Sequence, residues 1–248
     1  MKKISGGALI TKILIQNGIS KAFCVPGESY LGVLEAIRES KNKFDLVVCR
    51  HEGGAAYMAE AYGRLTQMPG ICFVTRGPGA CNASIGVHTA YHEGTPLILF
   101  VGQVPVKSLK KNAFQSIDTD KFFNSMAKYT ETIKDPKNIR KILEKAIYIS
   151  TKGKPGPVVL AIPEDIQFAM VSDKISEVLE NKTHKIKSKI FRAYIKELNH
   201  SNRPIIVLSG SKWKKETKKK LETFAKKFSV TNLRLLCFFL CHGSGKNT

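Results

Sequence analysis

Three times before residue 94 a short apolar run breaks into a glycine-flanked polar turn and then into a helical pattern. Ala22-Phe23-Cys24-Val25 leads into Pro26-Gly27-Glu28-Ser29 and an amphipathic stretch on Leu31, Leu34 and Ile37. Asp45-Leu46-Val47-Val48-Cys49 leads into Arg50-His51-Glu52-Gly53-Gly54 and an alanine-rich stretch that favours helix. The run from Gly70 to Thr75 leads into Arg76-Gly77-Pro78-Gly79-Ala80-Cys81-Asn82 and a helix through Val87 and Ala90. Strands that alternate with helical patterns imply parallel pairing, since parallel neighbours need a long crossover. The predicted fold is therefore α/β, an open doubly wound parallel sheet with helices on both faces. Residues 96–101 are apolar throughout, as befits a strand at the sheet centre buried on both sides. Val158 to Pro163 reads as a last parallel strand, entered through Gly153-Lys154-Pro155-Gly156-Pro157.

In such sheets ligands bind beyond the carboxyl ends of the strands, which is where all three turns lie. Glu52 stands at a strand-to-helix junction and is the leading candidate for chemistry. A glutamate in a first helical turn can also do no more than complement the helix dipole. Two further polar turns on the same edge favour a shared pocket. The four small residues after Glu52, Gly53 to Ala56, would let a flat ring come close to the helix start.

The rest of the chain reads in order. Residues 4–17 form a first helix with Ile4, Leu9, Ile13 and Leu14 toward the core and Gly18 as its stop. Residues 105–130 lack strong periodicity. Residues 136–151 form an amphipathic helix on Ile139, Leu143, Ala146, Ile147 and Ile149, opened by Asp135-Pro136. Residues 164–200 are a polar linker and a helix. A strand within 203–210 and a Lys-rich helix over 213–228 look like the start of a second α/β domain. The divisions expected are 1–170 as the first domain, 171–200 as linker and 201–248 as an incomplete second domain. The apolar run 233–241 and the residues after it give an ending that reads as truncated or out of frame.

Composition excludes several classes. A chain of 248 residues, 43% hydrophobic, can bury a sound core. The net charge of +20 invites a nucleic-acid reading, but most of the basic residues are lysines scattered among acids, and no RNA- or DNA-binding motif accompanies them. The six cysteines show no zinc-site spacing and read as small buried hydrophobes of a reducing compartment. Lys12 and Gln16 interrupt the first apolar run too early for a signal peptide, and no run approaches the roughly 20 apolar residues of a membrane helix. A cytoplasmic protein with no membrane partner is expected. Gly243-Ser244-Gly245-Lys246 lacks the first glycine and the final Ser/Thr of a phosphate-binding loop, and Gly77-Pro78-Gly79 lacks the last glycine of a dinucleotide fingerprint. His51, His88 and His92 read as ordinary satisfied histidines, and no metal ligands are assigned.

Four ordered stretches carry a resemblance. Val-Pro-Gly-Glu-Ser-Tyr-Leu (25–31), Arg-His-Glu-Gly-Gly-Ala-Ala (50–56), Phe-Val-Thr-Arg-Gly-Pro-Gly-Ala-Cys-Asn-Ala-Ser (73–84) and Gly-Thr-Pro-Leu-Ile-Leu-Phe-Val-Gly-Gln-Val (94–104) resemble the N-terminal pyrimidine-binding domain of thiamine-diphosphate-dependent enzymes. The similarity is to the acetolactate synthase, pyruvate oxidase and benzoylformate decarboxylase group, and it covers residues 1–170 well. It implies that Glu52 hydrogen-bonds N1' of the cofactor's aminopyrimidine, with Pro26, Gly27, Glu28, Thr75, Pro78 and Asn82 as further cofactor contacts. Phe114 and Gln115 match a segment that approaches the substrate, but Ser116 replaces its usual acid.

The activity implied is decarboxylation and carboligation of 2-oxo acids such as pyruvate, with a place in branched-chain amino acid biosynthesis. The family holds Mg²⁺ and the diphosphate with a separate domain whose Gly-Asp-Gly motif does not occur in this sequence. The chain is therefore expected to meet only the pyrimidine half of thiamine diphosphate, to bind it poorly alone, and to need a homodimer or a complementary chain. A non-catalytic interaction module that keeps the fold is the alternative, and a basic nucleic-acid-binding protein a weaker one.

Overall fold

A computed structural model of the chain describes residues 3–173, 188–202, 205–208, 215–227 and 232–235. Two units make it up, Met1–Asn181 and Lys182–Thr248. In the first, β1 (Lys3–Ser5), α1 (Gly6–Gln16), β2 (Lys21–Cys24), α2 (Leu31–Glu39), β3 (Asp45–Val48), α3 (Glu52–Thr66), β4 (Gly70–Val74) and α4 (Gly77–Glu93) are followed by β5 (Leu97–Gln103), α5 (Thr119–Phe123), β6 (Tyr129–Thr132), α6 (Ile139–Thr151), β7 (Pro157–Pro163), α7 (Glu164–Phe168) and β8 (Met170–Ser172). Six strands form one parallel sheet in the order β3-β2-β4-β5-β7-β6, with helices on both faces as expected.

Alternate residues of each strand feed two cores, because successive strand side chains point to opposite faces. Ile71 and Phe73, with Ile98, Phe100, Val158 and Leu160, meet Ile10, Ile13 and Leu14 of α1, Val33 of α2 and Leu143 of α6. Cys72 and Val74, with Leu97, Leu99, Val101 and Val159, meet an alanine layer from α3 and α4: Ala55, Ala56, Ala59, Ala80, Ala83 and Ala90. On this second face a Cβ on Gly86 would lie 2.5 Å from Ala56 Cβ, so glycine is what allows α3 and α4 their close approach. The buried Glu60 ties the two helices further. Its Oε1 accepts 2.7 Å hydrogen bonds from Arg64 Nη2 and from Thr95 Oγ1, just beyond α4.

Several boundaries depart from expectation. The first helix begins at Gly6, capped by the Ser5 hydroxyl, because Lys3–Ser5 instead pairs antiparallel with Met170–Ser172. Ile4 still packs against the core, from a strand rather than a helix. β6 lies inside and just beyond a region that shows no periodicity; it is a half-buried edge strand whose Tyr-Thr-Glu-Thr has no apolar alternation to mark it. Helix α4 starts at Gly77, so Pro78 and Asn82 belong to its first turns and not to a preceding loop. Asp135 caps a short 3₁₀ turn, Pro136–Asn138, that opens into α6.

In the second unit, α8 (Ser188–His200) precedes β9 (Ile205–Leu208), α9 (Lys215–Lys227) and β10 (Asn232–Leu235). β9 and β10 pair in parallel, from Ile205 opposite Asn232 to Leu208 opposite Leu235. The start of the apolar run thus has a strand partner; residues 236–248, with the glycine-lysine motif, lie outside the described residues, as does the linker segment 174–187.

Candidate active site

The chain leaves β2 for β3 on one side and β4 for β5 on the other, so the winding direction reverses between the carboxyl ends of β2 and β4. A crevice opens at such a reversal because the two following segments diverge. The turn after β2, the turn after β4 and the first residue of α3 border it, and α3 packs over β2 and β4 and against α4.

Glu52 is the first residue of α3. The preceding His51 caps the helix, its Nδ1 accepting from Gly53 N at 3.0 Å, which sets the direction in which the chain turns from β3. Asn82, one turn into α4, donates from Nδ2 to Glu52 Oε2 at 2.9 Å. Oε1 has no hydrogen-bond partner among the described residues. A Cβ on Gly79 would lie 3.5 Å from that Oε1 and 3.1 Å from Thr75 Cγ2, so the start of α4 comes close to the carboxylate. The result is a half-buried carboxylate with one oxygen oriented and the other open to a hydrogen-bond donor.

Of the four small residues that follow Glu52, only Gly54 faces open space. Gly53, Ala55 and Ala56 are buried in the packing of α3 against the sheet and α4. Their small size serves the approach of the helices more than that of a ligand.

The two turns at the reversal are fastened to each other. Ser29 Oγ and Thr75 Oγ1 are 2.9 Å apart, and a Cβ on Gly27 would lie 2.9 Å from Thr75 Cβ. Arg76, mostly buried, pairs with Glu28 at 3.1 Å and with Glu164 at the end of β7, so one guanidinium joins three strand ends. Its Nε is buried without a partner among the described residues. Pro26, Glu28, Pro78 and Asn82 lie exposed along the rim. The loop 113–117 also reaches α4: Gly77 N donates to Gln115 O at 2.8 Å, and Gln115 holds a left-handed φ of 62°. Phe114 beside it is 79% exposed.

The structure therefore brings Glu52, Asn82 and Gly79 together, and Gly27, Ser29 and Thr75 together, with Gly79 against Thr75. Sequence reasoning missed Ser29, Arg76 and Glu164. Ser29 lies within a turn already singled out; Glu164 is so far from Arg76 along the chain that no local spacing joins them.

Cys24 and Cys49 at strand ends and Cys72 within β4 lack the character of nucleophiles. Burial pushes the Cys24 thiol up to about 11, against a smaller opposing effect of its hydrogen bond with Tyr30. Burial raises the Cys49 and Cys72 thiols as well. Cys81 is exposed on α4, contrary to the expectation of a buried hydrophobe, because it projects from the side of the helix away from the sheet. Cys237 and Cys241 lie outside the described residues.

A family model described as the thiamine pyrophosphate enzyme N-terminal TPP binding domain matches residues 4–122. The chain is 33% identical over 214 residues to the acetolactate synthase large subunit of Lactococcus lactis, covering 84% of this chain and 37% of that protein. It is 35% identical over 166 residues to the acetolactate synthase isozyme 3 large subunit of Escherichia coli, covering 67% and 29% respectively. Against the mitochondrial acetolactate synthase catalytic subunit of Saccharomyces cerevisiae it is 34% identical over 172 residues, covering 69% and 25%. The chain thus spans between a quarter and two-fifths of the length of these curated relatives. Residues 4–122, within the first unit, thus carry the N-terminal TPP binding domain of the thiamine pyrophosphate enzymes.

Proposed function

We propose that this chain forms the wall of a thiamine diphosphate site that meets the aminopyrimidine, in an acetolactate synthase-like enzyme acting on 2-oxo acids. The observation that carries the reading is the Glu52 carboxylate at the sheet's reversal point, with Oε2 held by Asn82 and Oε1 without a partner among the described residues. These residues fit a ring nitrogen that must share a proton. When bound, the cofactor would supply the electron sink for decarboxylation and carboligation.

The chain's own part is narrower. Glu52 holds a proton at the N1' position, and Asn82 keeps the carboxylate from turning away. Gly54 and Gly79 leave room beside it. Thr75 and Ser29 set the spacing of the two turns, and Pro26, Gly27, Glu28 and Pro78 shape the rim. Phe114 and Gln115 take the substrate side, anchored to α4 through the backbone of Gln115.

Diphosphate and Mg²⁺ belong, in this reading, to a domain outside this sequence, consistent with relatives more than twice as long. A homodimer or a complementary chain would bring that domain to the crevice. Tyr57 and Met58, exposed on α3, support such docking. Among the described residues no helix is long and apolar enough to cross a membrane. A cytoplasmic enzyme of branched-chain amino acid synthesis is the setting proposed.

The test is Glu52→Gln in the chain assembled with a complementing diphosphate-binding domain and assayed on pyruvate. Turnover should fall by about 100-fold, the size of a lost acid/base, with an unchanged circular dichroism spectrum. Full turnover in the variant would reject the assignment.

A further inference from the structure

The outer surface of α4 carries a second group of side chains that the proposed site leaves unused. His88 and His92 are four residues apart on this 17-residue helix, and their ring centroids are 4.5 Å apart with the planes tilted by 50°. Both residues are exposed. Among the described residues neither imidazole makes a hydrogen bond, so they are not the satisfied histidines expected from the sequence. The opposite side of the helix is fixed, with Ala83, Val87 and Ala90 fully buried against the sheet. Two imidazoles at i and i+4 lie on one helical face, the spacing by which helices present a pair of nitrogens to one ion.

We propose that His88 and His92 form a bidentate clip for a late first-row divalent transition ion, completed by water. No third His, Cys, Asp or Glu joins them in a metal-binding group among the described residues. Imidazole nitrogens select Ni²⁺, Cu²⁺ and Zn²⁺ over Mg²⁺ and Ca²⁺, which prefer oxygen. The clip is separate from the crevice: at 1.5 Å rise per residue, His88 and His92 lie roughly 9 and 15 Å along the helix from Asn82. Nearby charges temper the affinity. Lys154 Nζ donates to the His92 carbonyl at 3.1 Å and adds a positive charge, while Glu93 is drawn toward Arg64 at 3.4 Å. Tyr91 stands edge-on to His92, with ring centroids 5.6 Å apart.

Calorimetric titration of the full, untagged chain with Ni²⁺ tests the clip; Ni²⁺ is not reduced by the free thiols as Cu²⁺ can be. One Ni²⁺ should bind per chain, with no comparable Mg²⁺ binding. Replacing either ring, His88→Ala or His92→Ala, should weaken Ni²⁺ binding by about 100-fold, since each removes the gain of holding two ligands together. His51→Ala and His200→Ala should leave it unchanged. A readout that needs no variant is the imidazole NMR spectrum, in which two of the six histidines should broaden first on adding Ni²⁺. The clip is overturned if both single variants keep full affinity, if Mg²⁺ binds as well, or if broadening falls first on other histidines.

Discussion

The two faces of the sheet are built from different residues. On the α1, α2 and α6 face the core is bulky: Tyr30, Phe73 and Phe100 stack in series at 5.9 and 4.7 Å, surrounded by isoleucine and leucine. On the α3 and α4 face it is shallow, alanine against valine, with glycines at the close contacts. The first face contributes apolar burial. The second holds two helix starts close enough for Glu52 and Asn82 to meet. Stability and position are thus divided between opposite sides of one sheet.

The comparison breaks first under truncation of the bulky face. Phe100→Ala removes a fully buried ring that stacks on Phe73 and should cost about 3–5 kcal/mol in denaturant unfolding. A cost below about 1 kcal/mol would mean that this face is not the main source of stability.

Enlargement should be the damaging change on the other face. Gly86→Val would place its Cβ 2.5 Å from Ala56 Cβ and 2.8 Å from the Ala56 carbonyl carbon, so α3 and α4 must separate. An expected loss of about 1–3 kcal/mol should come with a larger drop in turnover than Phe100→Ala shows at a temperature where both variants are folded. Equal activities would deny the second face its positioning role.

The smallest structural perturbation probes position alone. Asn82→Ala removes one exposed hydrogen bond to a carboxylate. Turnover should fall about tenfold, in line with losing a bond to a charged group, while unfolding shifts by less than about 0.5 kcal/mol. A variant whose stability falls as much as its activity would make the contact a structural tie.

Much of this was legible in the sequence because it rests on local pattern. Strand and helix alternation, the position of Glu52 and the twofold-buried strand at the sheet centre all follow from which residues are apolar and how they are spaced. The missing pieces share a cause. β1 and β8 are three residues each and exist only because each pairs with the other across the whole unit. β6 is recognisable only from its pairing to β7. The sequence shows that residue 86 is a glycine, but the close packing of α3 on α4 decided that it had to be.

By itself the sequence determined the order of elements, the parallel sheet and the strand-end turns that make its carboxyl edge chemically rich, since these need only hydrophobic period and turn chemistry. The tertiary structure alone decided that Asn82 meets Glu52, that Arg76 joins Glu28 to Glu164, and that His88 and His92 lack hydrogen-bond partners among the described residues. Those facts depend on how far apart two helices sit and which strand ends lie side by side, distances that arise only when the alanine face and the aromatic face pack against the same sheet.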